Sequence, residues 1–138
     1  MNPFAGMRAS FVIATLLYCA AIFWISAQPA PPVPKTRFPG DDKAAHAALY
    51  GGLAATLAIG LRRGKGVSAL RLFFVPVIFA SLYGVADEIH QHFVPPRTCD
   101  FFDWLADTAG ALTTQIILFR VAWRLPLPWA MRGARRET

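Results

Sequence analysis

The residues best able to do chemistry lie between Tyr83 and Gly110, in YGVADEIHQHFVPPRTCDFFDWLADTAG. An apolar helical pattern ends there in Asp87, Glu88, His90, Gln91 and His92. A Pro-Pro-Arg turn follows, and Asp100, Asp103 and Asp107 then lead into another apolar run. Ionisable groups at the edge of hydrophobic segments are costly to hold, so they mark a candidate site. An earlier segment adds Lys43, His46 and Tyr50, whose spacing of three and four places them on one helical face. Tyr83, Asp87 and Gln91 repeat every four residues, with Glu88 one step round, and Asp100, Asp103, Asp107, Gly110 and Thr114 form a third stripe. In a bundle such stripes are expected to face each other rather than lipid.

Each group has a chemical and a structural reading. His46 is a proton acceptor or metal ligand, or else bonds a carboxylate and stitches the second helix to the third. Asp87 and Glu88 are adjacent and point to different faces, so one reaches the pocket while the other meets water or a basic partner. Close carboxylates raise one another's pKa, which suits an acid/base pair; the alternative is pairing with Lys43 or Arg97. The planar fork of Arg97 suits phosphate or carboxylate recognition, or bonds Asp100 or Asp103 and fixes the turn. Asp100 is a good N-cap and Asp103 suits a first helical turn, but capping leaves Asp107, a full turn deeper, without an explanation. His90 and His92 are expected at a solvated rim.

His46, Asp87 and Glu88 are therefore the acid/base candidates. Lys43, Tyr50, Gln91, Arg97, Asp100, Asp103 and Asp107 are the candidate ligand contacts. Carboxylates with His46 are donors of the kind that hold a divalent metal, yet no compact HExxH-like spacing occurs, and a metal-free ion-pair network is the expectation. No cofactor is expected: the sequence shows no Ser/His/Asp order, phosphate loop or dinucleotide fingerprint.

The elements that position these residues are membrane helices. The chain of 138 residues is 55% hydrophobic and 16% charged, with the apolar residues in long blocks. That is the profile of an integral membrane protein forming one domain over residues 1–138. Four helices are predicted, an all-α bundle: Ala9 to Ala27, Lys43 to Leu61, Ala69 to Phe93 and Phe101 to Trp123. The first is uncharged and about long enough to cross a bilayer core of ~30 Å; its length, and Ile25 near a cut after Ala27, favour a retained helix over a cleaved signal. The proline-rich stretch 28–40 is an extended loop, and Asp41 or Asp42 is the expected cap of the second helix. Gly51, Gly52 and Gly60 read as close helix packing. Pro76 is expected to bend the third helix, and Val94-Pro95-Pro96 to end it.

The net charge of +6 is explained by basic flanks rather than nucleic-acid binding. Arg8, then Arg62, Arg63, Lys65 and Arg71, then Arg120, Arg124, Arg132, Arg135 and Arg136 fall on one side, the expected cytoplasmic one. The orientation is N-in, C-in, and the polar stretch faces outward. Cys19 lies in an apolar block and Cys99 in a polar turn, so no disulfide and no zinc site is expected.

The order Asp42-Lys43-x-x-His46, Asp87-Glu88-x-x-Gln91, then Phe93-x-Pro95-x-Arg97-x-x-Asp100-x-x-Asp103 resembles the VanZ-like family over roughly residues 41–115. The resemblance implies a small bacterial multi-pass membrane protein of the cytoplasmic membrane, in a family whose founding member is associated with teicoplanin resistance. It implies cell-wall or lipid-linked precursors, or glycopeptides, as ligands, with membrane lipid as the surroundings. This chain reads Ala106-Asp107-Thr108-Ala109-Gly110 where the family commonly has Asn in an ANxxG-like segment, and Ala47 follows His46 where an aromatic is common. A proton-coupled transporter and a non-catalytic scaffold are the rival readings. The transporter needs polar residues deeper in the membrane, where the second helix offers Thr56.

Overall fold

The uncharged and Ala/Gly-rich runs do form helices. A computed structural model describes residues 9–29, 40–63 and 67–122. It places α1 at Ala9–Ser26, α2 at Asp41–Arg62, α3 at Ala69–His92 and α4 at Phe101–Ile117, followed by a π-helical turn Leu118–Ala122. Most of the proline-rich loop, Arg8, Lys35, Arg37, Lys65, Trp123 and the basic tail with Arg124, Arg132, Arg135, Arg136 and Glu137 lie outside the described residues. α1, α2 and α3 are long and apolar enough to cross a membrane, so the chain is a multi-pass membrane protein by helix composition. The fourth helix does not run on as one α-helix to Trp123. After Ile117 its backbone widens to π geometry, which turns the following side chains round the axis.

The helix ends sharpen two expectations. α2 starts ahead of Lys43, because Gly40 adopts the left-handed conformation (φ 88) and takes the cap position without a side-chain bond. Asp41 and Asp42 are thus inside the first turn. There each accepts the next residue's amide N–H, at 2.8 and 2.9 Å, and sets negative charge at the positive helix end. Asp100 is the N-cap of α4, accepting the Phe102 N–H at 2.8 Å. α3 continues through the buried Pro76 and ends one residue early, with Phe93 as its C-cap.

α2, α3 and α4 form the core of the bundle, and α1 packs on α2 and α3. The faces are reversed relative to a soluble bundle. Phe74, Ile78, Leu82, Val85 and Ile89 of α3, and Leu105, Leu112 and Ile116 of α4, point outward, while Asp103, Asp107 and Gln115 are buried. Lipid explains that inversion: it solvates the apolar face and leaves polar groups to find each other inside.

Small residues let the helices approach. A Cβ at Gly110 would collide with the backbone of Ala47, so α2 and α4 cross there almost in backbone contact. At Gly51 a Cβ would lie 2.6 Å from the Thr114 hydroxyl, and at Gly52 it would meet the Tyr18 hydroxyl. The crossing sets the site, because His46 precedes Ala47 and Asp107 lies one turn before Gly110.

Candidate functional site

The C-terminal ends of α1 and α3 and the N-terminal ends of α2 and α4 meet in one polar layer. Its outer part is organised by Lys43. The ammonium lies 2.9 Å from Asp42 Oδ2, 2.7 Å from Asp100 Oδ2 and 2.7 Å from Asp103 Oδ1. The contacts to Asp42 and Asp100 are hydrogen bonds, and the one to Asp103 is an ion pair. Asp100, outside the helices, is held below the usual carboxylate range by Lys43 and by the Phe102 amide.

One turn deeper, His46 Nδ1 is 2.9 Å from Asp107 Oδ1, and Nε2 is 3.8 Å from Asp103 Oδ2. The histidine therefore joins α2 to α4, not to α3 as its structural reading anticipated. Its ring runs parallel to Tyr50, with centroids 6.4 Å apart. Asp107 is fully buried and Glu88 nearly so, at 3% exposure. Glu88 Oε2 accepts the Asp100 N–H at 2.8 Å, while Oε1 has no hydrogen-bond partner among the described residues. Asp107 Oδ2 is likewise buried without a partner. Room for it comes from Gly84, where a Cβ would sit 2.7 Å from that oxygen.

Asp87 faces away from this pair. Its Oδ2 accepts from Ser26 Oγ and from Gln91 Nε2, both at 2.8 Å, in a buried cluster tying α1 to α3. The adjacent acids do diverge, but neither reaches water and neither pairs directly with Lys43, because both are enclosed by the bundle. Tyr50 is buried with Asp87 and Asp107 among its charged neighbours, and its hydroxyl makes no well-formed hydrogen bond. Arg97 departs from its expected turn lock: Lys43 takes Asp100 and Asp103, and Arg97 Nη1 instead donates to Ser26 O at 3.5 Å. His92 is exposed, whereas His90 is half-buried and stacks on Phe23, with centroids 4.3 Å apart.

Several participants were not picked out from sequence. Ser26 holds Asp87, and Cys19 O accepts from Tyr83 at 2.7 Å, so α1 belongs to the polar assembly. Ser81 and Thr108 bond each other at 2.9 Å, and Trp104 Nε1 donates to Ser81 O at 3.2 Å. Gln115 donates to Ala54 O at 3.2 Å. Gln115 had a readable signal, because it continues the four-residue spacing of Asp103, Asp107 and Ala111. Ser26 had none, since one serine at the end of an apolar run is ordinary.

The fold and this buried layer define a multi-pass helical membrane protein carrying an acid-rich polar cluster at one end of its bundle. The VanZ/LLP1 family model matches residues 11–123, and the chain belongs to that family. The match begins inside α1, in keeping with the bonds α1 makes to the layer. No curated protein and no solved structure matches the chain.

Proposed function

We propose that this protein binds a lipid-linked anionic ligand of the bacterial cell envelope, with His46, Asp107 and Glu88 lying beneath its head group. The observation that carries the reading is a cavity of about 320 Å³ between α3 and α4. Its walls are Val85, Ile89, Phe101 and Trp104, and its polar boundary is Glu88 and Asp100. The apolar walls suit a lipid chain lying along the outward face, whereas Glu88 and Asp100 share the sign of an anionic head, so its counter-charge has to come from outside the cavity lining.

In this reading the polar end faces the extracytoplasmic side, with both termini in the cytoplasm, as the basic flanks favour. Arg97, half-buried at the rim and bonded only weakly to Ser26 O, is the group suited to clamp an anionic head. Lys43, Asp87, Gln91 and Asp100 hold the helices in register, so the scaffold reading applies to them and not to His46 or Glu88. A glycopeptide phenotype such as teicoplanin resistance would follow from sequestering or altering a cell-wall precursor. A transport path is disfavoured by Leu53, Leu57 and Leu61, which are fully buried beneath the layer.

The test is binding of a fluorescent polyprenyl diphosphate to the protein in nanodiscs. Val85→Trp, which fills the cavity from an exposed position, should weaken binding by about tenfold or more while leaving thermal unfolding unchanged. Equal affinity for the variant and the parent would sink the cavity as the ligand's seat.

A further inference from the structure

Six carboxylates and one lysine leave the polar layer net negative. Asp42, Asp100 and Asp103 surround Lys43, and Asp87 accepts from neutral donors. What remains is the deeper trio of His46, Glu88 and Asp107, one residue from each of α2, α3 and α4. Each offers a ligand atom, and these atoms all lie within 4.8 Å of one another. Each carboxylate has one oxygen engaged, Asp107 Oδ1 by His46 and Glu88 Oε2 by the Asp100 amide. The second oxygens, Asp107 Oδ2 and Glu88 Oε1, are buried with no donor among the described residues. A buried acceptor left unpaired is costly, and a buried carboxylate more so.

We propose that His46, Glu88 and Asp107 form a divalent metal site. A doubly charged ion balances the two carboxylates and gives both orphaned oxygens a partner at once. An ion would replace the hydrogen now shared by His46 Nδ1 and Asp107 Oδ1, with that proton released to solvent, and their 2.9 Å separation is close to the ~3 Å between neighbouring ligands on one ion with bonds of ~2.0–2.1 Å. An imidazole with two carboxylates selects a zinc- or manganese-like ion over calcium or magnesium. Three protein ligands leave a position for water or a ligand oxygen, the arrangement of reactive rather than structural sites. The Asp100 amide orients Glu88, and Gly84 leaves the space in which Asp107 Oδ2 sits. Such an ion would turn an acid-rich layer into an acceptor for a phosphate or carboxylate head, but it binds whether or not a lipid-linked ligand does.

The experiment uses full-length, tag-free protein in detergent, stripped with a chelator and titrated with Co²⁺ by visible absorption and with Zn²⁺ by calorimetry. The expected result is one saturable equivalent with ligand-field bands, and a rise in Tm on adding Zn²⁺. His46→Gln, Glu88→Gln and Asp107→Asn should each weaken binding by about tenfold or more, the loss that even outer partners of a ligand cause. His92→Asn and Asp42→Asn should bind as the parent does. Metal-free Tm values separate misfolding from ligand loss, because the amide variants relieve buried charge and should unfold no lower than the stripped parent. Absence of saturable binding overturns the site, as does unchanged affinity in both Glu88→Gln and Asp107→Asn. So does a parent whose Tm ignores Zn²⁺ while Glu88→Gln raises it, since that pattern means the two acids share a proton instead.

Discussion

Replacing Gly110 with alanine should loosen the whole site through one methyl group. The added Cβ would meet the O, C and Cα of Ala47, all backbone atoms that no rotamer change can move. The Cα lies 2.6 Å from the ideal Cβ position, against ~3.5–4.0 Å for a relaxed carbon contact, so α2 and α4 must separate by roughly 1 Å. His46 and Asp107 flank that crossing, and their 2.9 Å contact would lengthen to about 3.9 Å, beyond hydrogen-bond range. Overpacking costs about 1–3 kcal/mol and loss of a bond to a charged group about 1.5–3, offset by about 1 from alanine's helix preference. The expected net loss is about 1.5–5 kcal/mol, read as a lower Tm in detergent. Gly52→Ala, which meets only the Tyr18 side chain, should cost less, because a side chain can yield, and Gly51→Ala, which meets the Thr114 hydroxyl and lies 3.2 Å from Gly110 O, should fall between the two. A Gly110→Ala protein as stable as the parent, or no less stable than Gly51→Ala, would refute the close crossing.

Two further outcomes are expected. Asp100 has a lowered pKa, so its contribution to stability is present above the unfolded carboxylate value of ~3.9 and is lost as pH falls through the lower folded value. The difference in Tm between parent and Asp100→Asn should therefore be constant near neutrality and shrink below about pH 4, and a difference that grows with acid would contradict the sign. Ser26→Ala should cost about 1–3 kcal/mol by removing a donor from buried Asp87, and the loss should be visible as earlier proteolysis of α1; an unaffected protein would mean that α1 is held by its apolar face alone.

The helices and the end of the bundle that holds the polar groups were legible because both follow from spacing. Stripes at three and four residues fix a shared face, and the positions of the acids along the helices fix the end. Partner choice was not legible. Lys43 and Arg97 are both cations within reach of Asp100 and Asp103 by sequence, and the helix crossing at Gly110 decides for Lys43 by bringing the start of α2 over α4. The same crossing gives His46 to Asp107 on α4 instead of to an acid on α3. Asp41 and Asp42 looked like caps because their side chains suit the role, yet Gly40 supplied a conformation they could not adopt cheaply. The contribution of α1 was hidden for a different reason: Cys19 enters through a backbone carbonyl, which every residue possesses.

The central claim is that the polar layer opens on the extracytoplasmic side, and the chain carries its own reporter. Cys99 is exposed beside Asp100, whereas Cys19 is buried in α1. Labelling of intact cells with a membrane-impermeant maleimide should modify Cys99, with Cys99→Ser as the blank. Modification only after the cytoplasmic membrane is permeabilised would place the layer on the opposite side and contradict the account.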